Sequence, residues 1–396
     1  MYSKFNKTLA DWVPRGAHLF LPNLNESKRE VIMTRKPSVI ALVPAHNEQD
    51  IIKETITSLM SQTYPFAYVL VIADNCTDNT VRIVQRLQRT YGAKKLRLLK
   101  TVGNTHKKAG ALNQGFEATR KSRPDFIFGM DADTIIDSRM VEEGVKQFQL
   151  EPNTAGICSA YRTLPLKSDA THWERYLWRL QNIEFGLANA WRVENHESAR
   201  VLPGVSVMFR TKALRDIYKL HKGTVWAIDS LVEDYRLTLE LKDLGWDAKS
   251  SLRMISWSDV PLRVFGKAGL FDQRQRWYSG TVDELRLRGM MKHSRYELFT
   301  IVLLAVNFLM RLLLIGAYVT IIAMGNNVQW ISFFLLLPVA AAAIQYYRWV
   351  KYTDQRDPCQ GLMTLLLIPN ELYAIFREFI YLYAIWISYR RPDRAW

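Results

Sequence analysis

Short apolar runs alternate with amphipathic segments between residues 37 and 133 of this chain. The runs SVIALVPA, AYVLVIAD, KLRLLK and DFIFGMDAD have the length of strands, and most of their positions are apolar, as in strands buried on both faces. The segments between them carry apolar residues at helical spacing; in the first segment, Ile52, Ile56 and Leu59 fall on one side. This alternation predicts an α/β domain whose parallel sheet has helices on both faces.

The last hundred residues follow a different pattern, with three long apolar segments. Residues 299–323 and 328–346 are each long enough to cross a bilayer as a helix, and basic flanks on both sides of the pair place those flanks in the cytoplasm. In the third segment, 361–387, Glu371, Arg377 and Glu378 interrupt the apolar run. We expect this segment to cross the membrane with its polar face lining a passage, and an interfacial helix is the alternative.

The composition fits one soluble domain and a membrane part within 396 residues. Cys76, Cys158 and Cys359 are odd in number and far apart, which indicates a reducing, cytosolic compartment and argues against disulfides or a zinc site. The first forty residues lack the apolar core of a secretory signal. Residues 1–36 mix apolar and basic residues, which fits either a segment lying on the bilayer or a strap packed on the soluble domain.

The formal net charge is +15, and the stretch from Arg82 to Arg123 holds twelve Lys or Arg but only one acidic residue, Glu117. Nucleic-acid binding could explain such a stretch, but the sequence contains neither a basic motif with interleaved aromatic residues nor a helix-turn-helix pattern. Attraction to anionic lipid headgroups explains the charge more simply in a chain with membrane helices. We therefore expect membrane lipids, and no nucleic acid, among the partners.

Asp131 and Asp133 flank Ala132 at the end of an apolar strand. If the backbone is extended there, both carboxylates point the same way. Two such oxygen ligands suit Mg²⁺ or Mn²⁺ shared with a diphosphate. A turn or a helix cap would use the same residues, so the pair predicts a metal site only together with other motifs.

Two further groups come where ligands bind in parallel sheets, beyond the carboxyl ends of the strands. Asp74 ends the second strand, at the position expected for a nucleotide, and Asp78 or Thr77 would cap the helix that follows. Lys107 and Lys108 begin another helix, where a positive charge and backbone amides can hold phosphate. The alternative for the lysines is a solvated helix face.

Glu233 and Asp234 follow about a hundred residues after the aspartate pair. They are candidates for a carboxylate base that removes the proton of an acceptor hydroxyl, or they are a solvated acidic start of a helix. In the later string QRQRW, Arg276 can neutralise a leaving diphosphate and Trp277 offers a flat surface for a sugar. An interfacial aromatic-basic anchor is the alternative for that string.

Taken in order, PAHNE, the aspartate of ADN, KAGALN, DAD, PGVSVMFR, VED and QRQRW resemble the motifs of membrane-bound family 2 glycosyltransferases. The family includes cellulose synthases, hyaluronan synthases and poly-N-acetylglucosamine synthases, and the resemblance covers residues 36 to 278. It implies a GT-A (Rossmann-like) fold and inverting transfer from a nucleotide-sugar, usually a UDP-sugar. Val232 stands where the cellulose synthase pattern has Thr, and the N-terminal membrane helices of the family have no counterpart in this sequence, so we expect a smaller bundle.

The resemblance also implies residue roles. Glu48 and Asp74 would hold the nucleoside and Lys108 the diphosphate. Asp131 and Asp133 would bind donor and metal, and Asp234, beside Glu233, would be the general base. The positioning of the diphosphate and of the acceptor end would fall to Gln273, Arg276 and Trp277.

The resulting hypothesis is a metal-dependent enzyme at the cytoplasmic face of a membrane. It comprises an N-terminal segment (1–36), a GT-A domain (37–255), an amphipathic interface region (256–296) and a transmembrane region (297–396). Processive synthesis of a β-linked polysaccharide from a UDP-sugar is the expected activity. Single transfer to a lipid acceptor, as in ceramide-glucosyltransferase-like enzymes, is the alternative, and a non-catalytic membrane scaffold is a third. A homo-oligomer is compatible with each of them.

Overall fold

The computed structural model describes residues 35–289, 293–324, 329–353, 355–366 and 368–390. Apart from Arg35 and Lys36, the predicted N-terminal segment lies outside these residues. The chain divides into two compact units, of which the first comprises Met1–Pro165 with Trp191–Asp259 and the second Leu166–Ala190 with Val260–Trp396. Residues 166–190 thus group with the C-terminal part of the chain, and the four predicted domain boundaries stay a prediction.

The first unit contains one eight-stranded sheet, in the order β3-β2-β1-β4-β7-β6-β8-β5. The strands are β1 (Val39–Ala45), β2 (Tyr68–Ala73), β3 (Leu96–Lys100), β4 (Phe126–Met130), β5 (Thr134–Ile136), β6 (Thr154–Thr163), β7 (Ser206–Arg210) and β8 (Asp247–Ser258). Its helices are α1 (Ile52–Met60), α2 (Thr80–Tyr91), α3 (Lys107–Thr119), α4 (Met140–Leu150), α6 (Thr211–Leu220) and α7 (Glu233–Asp243). Between α4 and α6 in the chain lies α5 (His172–Glu194), most of which belongs to the second unit.

The sheet is parallel only in its first half. Strands β3, β2, β1 and β4 pair in parallel, as the apolar runs predict. Beyond β4 the pairing is mixed, because β7 runs antiparallel to both β4 and β6, and β5 runs antiparallel to β8. The prediction of a parallel sheet was therefore wrong for the second half. The α/β architecture and the four strands and three helices predicted up to residue 133 are confirmed.

Alternate residues of β1, β2 and β4 are buried on opposite faces of the sheet. In β1, Ile40 packs in one core cluster with Phe116 of α3, whereas Ala41 packs in another with Ile56 of α1. Burial on both faces explains why these strands are continuous apolar runs. Because β1 pairs in parallel with β2 and with β4, the loops that follow these three strands lie at one edge of the sheet.

The second unit is helical in the parts that the structure describes. Its helices, besides most of α5, are α8 (Leu270–Arg288), α9 (Arg295–Met324), α10 (Gln329–Tyr352), α11 (Pro358–Leu365) and α12 (Ile368–Arg390). Judged by length, hydropathy and charge together, no single helix among the described residues qualifies as a membrane span. The helices α11 and α12, which meet at a bend of 74°, qualify only as a pair.

The third apolar segment differs from its prediction as one continuous helix, since it is divided between α11 and α12. Its charged residues are paired, as expected for ionisable groups in an apolar segment. Arg311 of α9 lies 3.0 Å from a carboxylate oxygen of Glu371 and 3.7 Å from one of Glu378. Helix α12 also packs along α8, where the rings of Tyr278 and Tyr381 are 4.7 Å apart.

Candidate active site

The loops after β1 and β2 are joined by hydrogen bonds of the side chain of Asn47 and the backbone of Glu48 in the PAHNE segment. The Asn47 side-chain oxygen accepts a hydrogen bond from the backbone N–H of Thr77 at 2.8 Å. The Glu48 N–H donates to the Thr80 hydroxyl, also at 2.8 Å. Asn47, Asn75 and Lys107 have positive φ values of 59°, 48° and 49°. Such left-handed residues cost free energy unless the surroundings fix them, and they cluster at functional sites.

Asp74 directly follows the last residue of β2 and is 7% exposed. Its Oδ1 accepts hydrogen bonds from the Asn104 amide and the Thr101 hydroxyl, both at 2.8 Å. At the start of α2, four residues further along, the Asp78 carboxylate accepts a hydrogen bond from the Thr80 N–H at 2.9 Å. Asp74 is therefore held rigidly at the sheet edge by neutral donors and is not needed as a cap.

Lys108, in the first turn of α3, forms an ion pair with Asp131. Burial favours the neutral amine, but the charges of Asp131 and Glu233 outweigh burial and raise the pKa of Lys108 above its usual value. Gly204 makes this approach possible, because a Cβ atom at that position would lie 2.4 Å from the Lys108 Nζ. Lys108 is therefore a half-buried cation among carboxylates and not a lysine on a solvated helix face.

The aspartate pair lies in a turn rather than in an extended strand. Strand β4 ends at Met130, and the Thr134 N–H closes a turn onto the Asp131 carbonyl at 3.3 Å. The reasoning from an extended backbone was therefore wrong. The two carboxylates nevertheless interact. The pKa of Asp133 is raised to about 6, mainly by burial and then by the negative charge of Asp131. Burial and then the charges of Asp133 and Asp131 raise the pKa of Glu48 to about 7.

Glu233 and Asp234 begin helix α7, and both belong to the same cluster of charges. The Gly204 N–H donates to Asp234 Oδ2 at 3.1 Å, and the Tyr235 N–H donates to Oδ1 at 2.7 Å. Burial raises the pKa of Glu233, and the nearby Lys108 acts in the opposite direction. The interpretation of these carboxylates as a solvated helix start does not fit this environment. Asp234 is oriented by backbone donors, and Glu233 is held close to a lysine.

The predicted residues of the first unit thus form one cluster, comprising Glu48, Lys108, Asp131, Asp133, Glu233 and Asp234, with Asp74 at the neighbouring strand end. Within the described residues, no group of three or more His, Cys, Asp or Glu side chains is arranged to hold a metal ion. The predicted metal ligands are only two, Asp131 and Asp133. Of these, Asp131 also forms an ion pair with Lys108.

Gln273, Arg276 and Trp277 belong to the second unit and lie on α8. Arg276 is exposed and Trp277 is 38% exposed, so both present their side chains at the surface of that unit. Arg274, the second residue of QRQRW, is buried instead, with 1% exposure. Its Nη1 donates to the Gln273 side-chain oxygen at 3.0 Å, and its guanidinium carbon lies 4.4 Å from the centre of the Trp277 ring.

Glu184 of α5 is the counter-charge of Arg274. Its Oε2 accepts hydrogen bonds from Arg274 Nη2 at 2.9 Å and from the Tyr373 hydroxyl at 2.7 Å, and its Oε1 accepts from Arg377 at 2.7 Å. Burial alone would raise the pKa of Glu184, but Arg274 and Arg377 outweigh it and hold that pKa at about 2. One ionised carboxylate therefore joins three helices, α5, α8 and α12.

Sequence reasoning missed Gly204, Asn104, Glu184 and the role of Arg274. For Gly204 a signal was present, since a Pro-Gly pair directly before an apolar run marks a turn where backbone approaches closely. Glu184 stands 90 residues before Arg274, and the sequence carries no signal for that pairing.

Residues 37–280 match the family model described as "Glycosyltransferase like family 2". The match covers more than half of the chain. The protein belongs to this glycosyltransferase family. The predicted family and enzyme class are thereby confirmed.

Similarity to individual proteins agrees with the family. The chain is 26% identical over 242 residues to the poly-beta-1,6-N-acetyl-D-glucosamine synthase of Staphylococcus epidermidis, covering 60% of this chain and 53% of the relative. It is 24% identical over 278 residues to the enzyme of that name from Staphylococcus aureus (strain MSSA476), covering 69% and 62%. The chain therefore spans between half and two thirds of the length of these relatives.

Among solved structures, a mannosyltransferase from Pyrobaculum calidifontis, determined in complex with GDP-Man and Mn²⁺, superposes with a TM-score of 0.57. The sequences are 18% identical, and the match covers 91% of this chain and 89% of the other. At this identity the likeness concerns the fold alone, and it agrees with the predicted GT-A-like α/β architecture.

Proposed function

We propose that this glycosyltransferase transfers a sugar from a UDP-sugar, with inversion, to the end of a growing β-linked polysaccharide. The observation that carries the proposal is the charge cluster around Gly204. There a backbone N–H orients Asp234, and Lys108 is held by Asp131 close to Glu233. The cluster lies beyond the carboxyl ends of parallel strands, where ligands bind in open α/β sheets.

In the proposed step, an acceptor hydroxyl oxygen attacks the anomeric carbon of the donor sugar. The bond between that carbon and the diphosphate oxygen breaks, and the nucleoside diphosphate leaves with the bonding electrons. Asp234 takes the hydroxyl proton, and the backbone donors at both of its oxygens fix its orientation for that transfer. Attack on the face opposite to the leaving group inverts the anomeric centre. Lys108 supplies a positive charge for the diphosphate.

A divalent cation, Mg²⁺ or Mn²⁺, fits the residues at Asp131 and Asp133. The two carboxylates are hard oxygen ligands, and the raised pKa of Asp133 reflects burial and the repulsion from Asp131, which a cation would relieve. Such an ion would supply neutralising charge to the donor diphosphate. The remaining ligands would come from the diphosphate and from water, as is usual for Mg²⁺.

Two observations support a polysaccharide as the acceptor. The two relatives reported above are poly-beta-1,6-N-acetyl-D-glucosamine synthases. The QRQRW residues have the chemistry to position a diphosphate and a sugar acceptor, with Trp277 partly exposed as a flat surface. The roles implied for Gln273, Arg276 and Trp277 are part of this proposal. A lipid acceptor, glycosylated once, is the alternative that the product distinguishes.

We also propose that α9 and α10 span a membrane and that the first unit lies on its cytoplasmic side. Helix α9 has 30 residues and so reaches about 45 Å, which exceeds the roughly 30 Å apolar thickness of a bilayer. Its large apolar side chains Phe299, Val302, Leu309 and Leu313 are exposed. Exposed apolar surface on this scale is costly in water and favourable in lipid.

The contacts of α12 favour an interfacial position over the crossing that we expect from sequence. Helix α12 runs beside α8, which is rich in charged residues, through Tyr381 against Tyr278 and Ser388 against Arg286. Arg377 reaches Glu184 from the same helix. A helix tied along its length to a polar neighbour is well placed in the headgroup region.

The activity is tested by incubating the purified full-length protein in detergent with Mn²⁺ and a panel of radiolabelled UDP-sugars. We expect label from one UDP-sugar to enter a product that grows with time on a gel, and Asp234→Asn to slow this growth by about 10²- to 10⁴-fold. A product of fixed size that partitions into organic solvent would instead identify a lipid acceptor. Release of no nucleoside diphosphate from any donor would overturn the assignment and revive the scaffold hypothesis.

The topology is tested with a cysteine added at the C-terminus, in a background in which Cys76, Cys158 and Cys359 are replaced by Ser. If α12 lies at the cytoplasmic interface, an impermeant maleimide labels this cysteine only after the membrane is broken. A cysteine introduced at Asn326, between the two proposed spans, is the matched control and should be labelled in intact cells. Labelling of the C-terminal cysteine in intact cells would show that the third segment crosses.

A further inference from the structure

The first unit has a basic pocket at the sheet edge opposite to the proposed active site. Its volume is about 390 Å³, within the usual range for small-molecule sites. Strand β4 begins at this pocket and leads to Asp131, so the two sites are separated by the length of β4, roughly 17 Å. The residues that line the basic pocket are Arg35, Arg123, Pro124, Asp125, Phe126, Arg210, Thr211, Lys212 and Arg215.

We propose that the basic pocket binds the phosphate group of a ligand other than the sugar donor. Five lining residues are cationic and one is acidic. The acidic residue, Asp125, is already satisfied, because Arg35 donates to both of its oxygens at 2.9 and 2.6 Å and the Ser38 N–H donates at 2.7 Å. The pocket therefore presents an excess of positive charge even after this pair is formed.

The other cations lack carboxylate partners. Arg123, Lys212 and Arg215 form no ion pair with any of the residues that the structure describes. Arg210 donates only to backbone carbonyls, those of Thr154 at 3.0 Å and Phe148 at 3.1 Å among them. Carbonyls satisfy its N–H groups but leave its charge uncompensated. A cluster of cations held this way lowers the free energy of a bound anion.

Helix α6 adds donors of the kind that bind phosphate. It begins at Thr211 on the wall of the pocket, and its N-cap residue, Arg210, makes no side-chain capping hydrogen bond. Helix N-termini favour anions through their free N–H groups and their dipole. Thr211 is only 4% exposed, and its hydroxyl has no hydrogen-bond partner among the described residues. An unpaired buried hydroxyl is costly, and a phosphate oxygen in the pocket would satisfy it.

The chain's own N-terminal residues are a poor match for this pocket. Residues 1–34 contain five Lys or Arg and three Asp or Glu, so that segment is itself basic. Guanidinium groups bind phosphate with two parallel hydrogen bonds, and Arg123 and Arg215 are available for that geometry. A phosphate monoester is therefore the expected ligand group, carried either by a soluble molecule or by a lipid headgroup.

The test measures binding of two phosphate monoesters to the full-length protein in non-ionic detergent by titration calorimetry. Glycerol 3-phosphate represents the soluble source, and dihexanoyl phosphatidic acid carries the same group on a lipid. The variant Arg123→Glu/Lys212→Glu/Arg215→Glu removes the unpaired cations of the pocket. Its expected effect is a loss of affinity of at least about tenfold, since hydrogen bonds to charged groups are lost.

A control variant with the same change in net charge is Arg86→Glu/Lys94→Glu/Lys95→Glu. These three side chains are exposed on α2 and the turn after it, and none of them lines the pocket. We expect this variant to weaken binding by less than about twofold, because exposed charges act weakly through solvent. Thr211→Val should weaken binding by several-fold while preserving the melting temperature, which separates loss of the hydroxyl from loss of the fold.

The comparison of the probes identifies the source of the phosphate. Similar affinities for both indicate a soluble ligand, and a clear preference for dihexanoyl phosphatidic acid indicates a lipid headgroup. The proposal is overturned if the wild type binds neither probe, if the pocket variant binds as well as the wild type, or if both triple variants lose affinity equally. Unchanged binding by the pocket variant would mean that the probe binds elsewhere, at the donor site. An equal loss in both triple variants would mean that binding is general electrostatic attraction.

Discussion

Replacing Glu184 with Gln tests the buried network that joins α5, α8 and α12. The side chain keeps its size but loses its charge, so Arg274 and Arg377 remain close together without a counter-charge. The amide nitrogen of Gln is also a donor, and it cannot accept the hydrogen bonds that the carboxylate oxygen accepts now. We expect the second unit to be strongly destabilised.

The size of the effect follows from the pKa of the carboxyl group. The pKa of Glu184 lies at about 2 in the folded protein, below the ordinary value of 4.5. This difference corresponds to about 3 kcal/mol of stability at neutral pH. Removal of one partner from a buried ion pair typically costs a similar amount, about 3–5 kcal/mol. For a unit of this size the melting temperature should fall by roughly 6–12 °C.

The dependence on pH has a definite sign. Because folding lowers the pKa of Glu184, its contribution is complete above pH 4.5 and is lost as the pH falls towards about 2. The melting-temperature difference between wild type and Glu184→Gln should therefore be constant from pH 8 to pH 6. At pH 3 it should shrink to less than about half of that value.

The assay is thermal unfolding of the detergent-solubilised protein, followed by tryptophan fluorescence. Glu174→Gln is the matched control, because Glu174 lies near the start of the same helix and accepts hydrogen bonds from Thr171. Gln serves as well as Glu in such a capping arrangement, so this variant should melt within about 2 °C of the wild type. Equal melting temperatures for both variants, or a gap that does not change with pH, would refute an ionised Glu184 at the centre of the network.

Three further predictions concern the first unit. With radiolabelled donor, EDTA should abolish sugar transfer by the wild type, and added Mn²⁺ should restore it. In Asp133→Asn, Mn²⁺ should restore transfer poorly. Full turnover in excess chelator would contradict the proposed cation. Asp234→Asn should lower kcat by about 10²- to 10⁴-fold with little change in donor KM, since a general base acts on the acceptor, and a parallel loss of donor affinity would move Asp234 to the donor site. Gly204→Ala should displace Lys108 Nζ, because that atom would otherwise lie 2.4 Å from the new methyl group. The variant should therefore bind UDP more weakly in calorimetry while its melting temperature stays the same. Unchanged UDP binding would exclude Lys108 as a diphosphate ligand.

Sequence reasoning succeeded where the structure depends on local patterns. Strands β1, β2 and β4 are buried on both faces, so each is an apolar run with a clear length. The edge strand β3 is marked by its leucines, and the parallel pairing of all four strands follows from the helices between them. Strands β5 to β8 lack that regularity, because β5 has three residues and β6 and β8 have ten and twelve with irregular register. Mixed pairing depends on contacts far apart in the chain, which a local pattern does not encode.

The same distinction applies to the site. Asp74, Asp131 and Asp234 could be predicted because each stands at the end of an element whose limits the sequence marks. The turn at Asp131 was missed, since the residues that follow a strand carry no mark of the point where the extended backbone ends. The environment of Lys108 also had no signal, because its partner Asp131 is 23 positions away and the space between them depends on Gly204 from a third segment.

The network around Glu184 connects α12 to Gln273 and Trp277 of the QRQRW segment. Tyr373 and Arg377 of α12 hold the carboxylate of Glu184, and that carboxylate fixes Arg274. Arg274 in turn donates to the Gln273 side chain and lies over the ring of Trp277. Each contact is a directional hydrogen bond or a close ring contact, and Arg274 at its centre is buried. Withdrawal of α12 would therefore leave Glu184 with a single arginine and free the Arg274 guanidinium to turn. The side chains that the proposed function assigns to the acceptor end are therefore held in place by a helix more than ninety residues later in the sequence.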